Sequence, residues 1–406
     1  MERQSFLKGA LILMIAGFFN RILAFVLRIL LVRYIGNQGL GLFQMVYPFF
    51  MTLLLISTAG FPMAISKLIP EKLAKKDSRG AFNLLKTTLI FVSITGSIMA
   101  VMLIFSADFI SEHIFSDKRI YYTLIAIAPA LIICPVGSAF RGFFQGNHTM
   151  LPTAISQTVE QINRITATLI LINIVSYLGL KYQAASMAVG ISIGEISGLA
   201  ILLFFFFTNK NSLRANQNHK SNYNFKNNFS NICKIAIPIT LGRLINSLML
   251  SGEAILIPRQ LQLSGETVQQ ATSLYGQLSG MVQQVIYLPT VITIALTTSL
   301  IPNISEAYAN KNISKIKNNY QDIIRITTYL GFPITVIFIS HGTDLCNFLF
   351  GYPEAGKLLA SLAFSSTFIY YLQVSSGMLN GLGKPGLSLR NLAVGSVVKL
   401  TGRSAE

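Results

Sequence analysis

Two arginines lie inside the first long apolar run of the sequence, residues 11–32. A run of about 20 residues crosses the hydrocarbon core of a bilayer, where a charge is costly unless it faces a bundle interior or a wet cavity. Arg21 and Arg28 are about two helical turns apart and therefore share one helix face. We expect this face to line a cavity that accepts a negatively charged group. The alternative for Arg21 is that its long side chain reaches the cytoplasmic membrane surface.

The fifth apolar run, residues 154–175, contains Glu160 and Arg164 one helical turn apart. Opposite charges at this spacing can neutralise each other on one helix. Glu195 lies in the next run without a partner in its own helix, so we expect Arg28 or Arg164 to pair with it. The alternative for Glu160 and Arg164 is that they form a polar first turn at the cytoplasmic membrane surface.

Arg243 and Glu253 lie in the seventh apolar run, residues 235–257. Arg243 comes early in its run, as Arg21 does, so we expect both halves of the molecule to present an arginine to one cavity. Guanidinium groups bind phosphate through paired hydrogen bonds, and this set therefore favours an anionic substrate. The carboxylates in the same runs leave a proton or cation site open as an alternative.

The composition predicts an all-α polytopic membrane protein. Of the 406 residues, 52% are apolar and 12% are charged, whereas soluble domains contain about 25% charged residues. The net charge of +17 comes from basic residues in alternate short loops, Arg141 among them. By the positive-inside rule, this distribution places the N-terminus in the cytoplasm. Because membrane orientation explains the basic residues, we do not expect the protein to bind nucleic acid. The sequence has neither a metal-ligand spacing nor a phosphate-binding loop, so we expect no cofactor.

Apolar run lengths predict ten full spans and the beginning of an eleventh near Asn391. The ten spans are residues 11–32, 42–66, 86–107, 121–140, 154–175, 184–207, 235–257, 279–301, 323–343 and 355–378. They suggest an N-terminal six-helix lobe (1–207), a cytoplasmic linker (208–234), a C-terminal lobe of about four and a half spans (235–400) and a tail that does not look native (401–406). We expect the second lobe to be truncated.

Two internal similarities indicate that the lobes are parallel repeats. The segments Gly142–Pro152 and Gly377–Pro385 share a Gly-x-x-(Gln/Asn)-Gly pattern followed by proline, at the same place in each half. Because each half has an even number of helices, such repeats run in the same direction, as in transporters with a cavity between two lobes. Chance similarity among apolar helices is the alternative.

Three glycines of the sixth run, Gly190, Gly194 and Gly198, recur every fourth residue. This spacing is typical of membrane helices that pack closely. The same stretch matches the Gly-x-Ser-x-Gly pattern of hydrolases, but that motif requires a turn between a strand and a helix. We therefore expect close helix packing at these glycines rather than catalysis.

The stretch AFRGFFQGNHTMLPTAISQTVEQINRI (139–165) resembles the stage V sporulation protein B group of the polysaccharide exporter family, as do residues 17–50 and 287–307. This family is related to the MurJ-type lipid II flippases and, more distantly, to the multidrug and toxin extruders. The resemblance implies a two-lobe bundle of parallel six-helix repeats and a transporter rather than an enzyme. It implies a lipid-linked, pyrophosphate-bearing saccharide as cargo, such as a peptidoglycan precursor for the spore cortex. It also implies a headgroup site at Arg21, Arg28 and Arg243.

Three functions follow as hypotheses for a monomer in the bacterial cytoplasmic membrane. The first is a flippase that moves a lipid-linked oligosaccharide outward by alternating access. Glu160, Arg164, Glu195 and Glu253 would then tune its cavity. The second is a cation-coupled multidrug extruder, in which Glu195 or Glu253 carries the coupling ion. The third is a membrane scaffold that recruits cell-wall synthesis proteins through the basic segment 208–234.

Overall fold

The computed structural model describes residues 6–75, 77–214, 225–384, 386–388, 390–391 and 394–395. The described part of the chain is helical and contains no strand, which confirms the predicted all-α fold. The predicted tail 401–406, and residues 215–224 of the predicted linker, lie outside the described residues.

The α-helices differ widely in length, and short π- and 3₁₀-helical segments interrupt them. They are α1 (Phe6–Thr58), α2 (Phe61–Ala74), α3 (Ser78–Phe109), α4 (Tyr121–Ile127), α5 (Ala130–Gly146), α6 (Leu151–Ile174), α7 (Leu180–Arg214), α8 (Phe225–Leu263), α9 (Val268–Tyr275), α10 (Gln283–Tyr287), α11 (Thr290–Ala309), α12 (Ile313–Phe350) and α13 (Pro353–Gly381). In the described ranges, seven helices are long and apolar enough to cross a membrane, or eight with the bent pair Val268–Tyr287 and Thr290–Thr297. The chain is therefore a multi-pass membrane protein.

The first two predicted spans form a single long element, α1, that bends at Gly36. Gly36 has φ 68° and ψ −179°, a backbone conformation that a residue with a Cβ atom rarely adopts. A second break, at Ala59 and Gly60, separates α1 from α2, and both residues have positive φ angles. These two breaks let one apolar stretch of the chain form consecutive helical segments that pack against other helices.

The chain divides into two compact units, residues 1–273 and 274–406. In the first unit, α2, α3 and α5 enclose an apolar core that includes Phe61, Ile65 and Phe143. In the second unit, α12 packs along α13, and the Tyr370 hydroxyl donates to the Ile286 carbonyl at 2.9 Å.

The helix α8 belongs to the first unit because it packs against α1, α2 and α3. The Thr52 hydroxyl lies 2.7 Å from both the Ser247 and the Ser251 hydroxyls, which ties α8 to the second half of α1. In addition, α7 continues to Arg214 and α8 begins at Phe225, so helices extend into both ends of the predicted linker. The lobe boundaries drawn from the sequence remain a prediction.

The glycine spacing of the sixth run brings α6 and α7 into close contact, as predicted. A Cβ atom on Gly190 would lie 2.0 Å from the Thr168 hydroxyl, and one on Gly194 would lie 2.8 Å from the Glu160 carbonyl oxygen. A Cβ atom on Gly198 would lie 3.1 Å from the Glu160 Cβ atom. Because these positions lack side chains, the two helix backbones approach closely at the level where their glutamates lie.

Candidate functional site

Four charged side chains from α5, α6 and α7 meet inside the first unit; we call them the charge cluster (Arg141, Glu160, Arg164 and Glu195). Nη2 of Arg141 donates to Oε2 of Glu160 at 3.1 Å and to Oε2 of Glu195 at 2.8 Å. Nη2 of Arg164 donates to Oε1 of Glu160 and lies 3.9 Å from Oε1 of Glu195. Both glutamates are 8% exposed, and carboxylates at this depth require opposite charges nearby.

The spacing of Glu160 and Arg164 predicts their ion pair, and the structure confirms it. Of the two partners expected for Glu195, Arg164 lies within 3.9 Å, whereas Arg28 forms no ion pair among the described residues. The nearest guanidinium to Glu195 instead belongs to Arg141.

The loop assignment of Arg141 is wrong. This residue lies within α5, and its side chain is 16% exposed. The sequence signal is Gly137, one helical turn earlier, where a Cβ atom would lie 3.3 Å from Nη2 of Arg141 and 3.8 Å from Oε2 of Glu195. The glycine therefore leaves room for the guanidinium to reach the glutamates of the neighbouring helices.

A cavity of about 140 Å³ lies beside the charge cluster, between α1, α6 and α7. The residues that line it are Ala24, Leu27, Arg28, Leu31, Phe43, Tyr47, Gln161, Arg164, Thr168, Met187 and Ile191. Arg28 and Tyr47 face it from the two halves of α1, on either side of the bend at Gly36. The polar lining thus comes from helices that are distant in the sequence.

Three arginine nitrogens in this region are buried and have no hydrogen-bond partner in the described part of the chain. They are Nη1 of Arg28 and Nε of Arg164, whose side chains line the cavity, and Nε of Arg141, whose side chain does not. A buried donor without an acceptor is costly, so the cavity suits a group that supplies acceptor oxygens. Arg28 also adds one positive charge to a cluster whose two arginines balance two carboxylates. The cavity and the charge cluster together therefore carry an excess of positive charge.

The remaining predicted site residues lie away from this cavity. Arg21 on α1 and Arg243 on α8 are exposed, and neither lines the cavity. Glu253 on α8 is 8% exposed and does not line it either. The structure therefore brings Arg28 and Arg164 to one cavity, and Arg164 in turn contacts Glu160 and lies near Glu195. It does not place Arg21 beside Arg28 in this cavity, although the two share a helix face.

The sequence profile of the polysaccharide biosynthesis protein family matches residues 6–308, and that of the MatE family matches residues 279–402. The chain belongs to the polysaccharide biosynthesis protein family. This family member is similar to stage V sporulation protein B of Bacillus subtilis (strain 168), with 31% identity over 98% of this chain and 77% of the relative. It is also similar to the lipid II flippase MurJ of the same organism, with 27% identity over 97% of this chain and 76% of that protein.

Among solved structures, the family member resembles the inward-facing conformation of a multidrug resistance MATE family transporter. The TM-score is 0.74 at 14% identity, over 93% of this chain and 84% of that chain. The fold is therefore that of the multidrug/oligosaccharidyl-lipid/polysaccharide superfamily. With the sequence relatives, it identifies this family member as a transporter of that superfamily and not an enzyme.

Proposed function

We propose that the protein moves a lipid-linked, pyrophosphate-bearing saccharide, such as a peptidoglycan precursor, across the bacterial cytoplasmic membrane by alternating access. The observation that carries the proposal is the half-buried Arg28, which lines a cavity and whose buried Nη1 has no partner among the described residues. Similarity to a sporulation protein and to a lipid II flippase supports this substrate class, and so a role in spore cortex synthesis.

The chemistry of the cavity favours a phosphate group. Guanidinium groups bind phosphate oxygens through charge-assisted hydrogen bonds, which are stronger than neutral ones. Arg28 and Arg164 both offer buried nitrogens that have no acceptor in the described chain. A cavity of about 140 Å³ has room for a phosphate group. In this proposal Arg28 binds the headgroup phosphate and the tail remains in the bilayer.

The other predicted site residues take supporting roles in the proposal. Arg21 and Arg243 are exposed guanidinium groups that attract the headgroup before its phosphate reaches the cavity. Glu253 is buried on α8 and tunes the charge along this route. The protein acts as a monomer with a cytoplasmic N-terminus, and the basic segment 208–234 is available to cell-wall synthesis proteins.

The charge cluster argues against a cation-coupled extruder at this position. A coupling cation needs a carboxylate that is able to bind it, but Glu160 contacts two guanidinium groups. Glu195 likewise lies 2.8 Å from Arg141. Arginine side chains occupy the positions at which a mobile cation would bind these carboxylates.

The test is Arg28→Ala and Arg28→Lys in a strain that depends on this protein as its flippase. Lipid-linked saccharide that becomes accessible to a label outside spheroplasts is measured. Arg28→Ala should lower the initial rate about tenfold or more, because it removes a charged hydrogen-bond contact worth about 1.5–3 kcal/mol. Arg28→Lys should keep part of the rate, because lysine retains the charge but not the paired geometry.

The control is Arg33→Ala, which removes an arginine from an exposed position of the same helix and should leave the rate unchanged. An undiminished rate in Arg28→Ala would contradict the proposal. Resistance to cationic dyes that is conferred by the wild type and lost in Glu195→Gln would instead favour the extruder.

A further inference from the structure

We infer that Arg141 determines the ion selectivity of the cavity. By neutralising Glu160 and Glu195 it turns a region with two buried carboxylates into one that accepts an anion. The role rests on the proposed function and deepens it, because it explains how a site with two glutamates binds a phosphate group. Arg141, Glu160 and Glu195 do not line the cavity, whereas Arg164 does. Arg141 therefore acts through the two glutamates and their contacts with Arg164, and is a positioning residue.

The contacts of Arg141 are shared between two helices that are distant in the sequence. One nitrogen, Nη2, bonds both Glu160 on α6 and Glu195 on α7. With this guanidinium in place, Arg164 needs to bond only one oxygen of Glu160, and its Nε remains buried without a partner among the described residues. Arg141 thus leaves part of Arg164 available to a ligand in the cavity.

Removing Arg141 would change both the charge and the chemistry of the region. Three arginines and two carboxylates leave an excess of one positive charge, and without Arg141 this excess disappears. Glu195 would keep only Arg164, at 3.9 Å. The two carboxylate oxygens that now bind Arg141 would then face a space suited to a small cation, since hard cations prefer oxygen ligands.

The wild type, two single variants and one double variant of the full chain separate an effect of charge on binding from an effect on folding. Relative to the wild type, Arg141→Gln removes one positive charge and Glu195→Gln removes one negative charge. The double variant Arg141→Gln/Glu195→Gln restores the wild-type excess of one. Glu195→Gln keeps the size of its side chain, whereas Arg141→Gln shortens the side chain and keeps an amide donor. In the double variant, Glu160 is the one carboxylate left opposite the missing Arg141, and it keeps its contact with Arg164.

The measurement is the midpoint of thermal unfolding in detergent as inorganic pyrophosphate is titrated. In a second titration, sodium chloride replaces N-methylglucamine chloride at constant ionic strength. The apparent pyrophosphate affinity should follow the net charge. Glu195→Gln should bind pyrophosphate about tenfold more tightly than the wild type does. The affinity of the double variant should lie within about threefold of the wild-type affinity, and Arg141→Gln should bind pyrophosphate about tenfold more weakly than the wild type. Sodium should stabilise only Arg141→Gln.

A purely structural role for Arg141 would lower every midpoint without changing the order of affinities or creating a sodium response. The inference is overturned if Arg141→Gln binds pyrophosphate as the wild type does, or if the double variant fails to recover binding. If Arg141→Gln does not fold, the comparison of Glu195→Gln with the double variant decides, because their affinities should differ about tenfold. Pyrophosphate binding that depends on Arg28 but not on Arg141 would leave the proposed function standing and remove only this role. A wild type that ignores pyrophosphate would contradict both.

Discussion

The first unit contains two buried ionic sites with similar chemistry and different surroundings. In the charge cluster, arginines and glutamates from three helices meet beside a cavity. In the second site, Nε and Nη2 of Arg119 donate to the two oxygens of Asp117 at 2.9 and 2.6 Å. The Arg119 backbone N–H and the Thr272 hydroxyl each donate a further hydrogen bond to Asp117, both at 3.0 Å. Both sites join segments that are distant in the sequence.

The two sites differ in whether their buried polar atoms all have hydrogen-bond partners. Asp117 has one arginine partner, accepts hydrogen bonds at both oxygens and caps the N-terminus of a short 3₁₀ helix, Lys118–Ile120. The charge cluster borders Arg28, and buried nitrogens of Arg28 and Arg164 have no partner in the described chain. A balanced and satisfied ion pair is explained by structure alone. In the proposed function, a ligand supplies the acceptor oxygens that the buried nitrogens of this region lack.

The largest expected effect is that of Glu160→Leu, which would break the charge cluster at its centre. Glu160 contacts both arginines of the cluster, so its loss leaves Arg141 and Arg164 to share Glu195. Removing one partner of a buried ion pair typically costs about 3–5 kcal/mol. We expect the free energy of unfolding to fall by this amount, measured by denaturant or thermal unfolding in detergent.

Glu160→Gln is the matched control, because it keeps the shape and an acceptor oxygen while removing the charge. It should be less destabilised than Glu160→Leu. Equal stability of Glu160→Leu and wild type would mean that the charge cluster contributes nothing to the free energy of unfolding. The cluster and the Asp117 site would then not differ in the way that we propose.

The next prediction concerns the helix packing that assembles the cluster. Gly194→Ala places a Cβ atom 2.8 Å from the Glu160 carbonyl oxygen and forces α7 away from α6. Overpacking of this kind costs about 1–3 kcal/mol. We expect a lower unfolding midpoint and a transport rate below wild type, because Glu195 would move away from Arg141.

The control for this variant is Gly17→Ala on the exposed side of α1, where a Cβ atom would have no neighbour within 4 Å. It should leave stability unchanged or raise it slightly, since alanine favours the helix over glycine by about 1 kcal/mol. If both variants behaved alike, close packing of α6 and α7 would not be what holds the cluster together.

The sequence is sufficient to predict the helices and part of the cluster. Apolar run length predicts ten spans, whereas seven helices of the described ranges, or eight with the bent pair, are long and apolar enough to cross a membrane. The i,i+4 spacing predicts the pair of Glu160 and Arg164. Glycine spacing predicts the contact of α6 with α7. These features are local, or depend on one helix face, and can therefore be read from neighbouring residues.

The parts that the sequence does not predict depend on tertiary packing. Arg141 follows directly after a predicted span, which favours a loop, whereas the helix continues to Gly146 and buries it. The Asp117 site joins residues separated by more than 150 positions, and no periodicity connects them. Arg21 and Arg28 share a helix face, but the packing of α6 and α7 covers only Arg28. Which residues a cavity collects depends on helix contacts that a single sequence does not show.

The smallest expected effect is that of Asp117→Asn, which tests the ion pair between Asp117 and Arg119. The amide keeps the shape of Asp117 and one acceptor oxygen, but it removes the charge that binds Arg119. Because the Arg119 side chain is 25% exposed and water compensates part of the loss, we expect about 1 kcal/mol of destabilisation.

The transport rate of Asp117→Asn, measured as for Arg28→Ala, should remain at the wild-type level, because the described residues of this site have no unmet hydrogen bonds to offer a ligand. A loss of transport without a loss of stability would contradict this, because it would mean that a fully satisfied ion pair also takes part in substrate movement. The charge balance of a buried cluster would then no longer distinguish a binding region from a structural one.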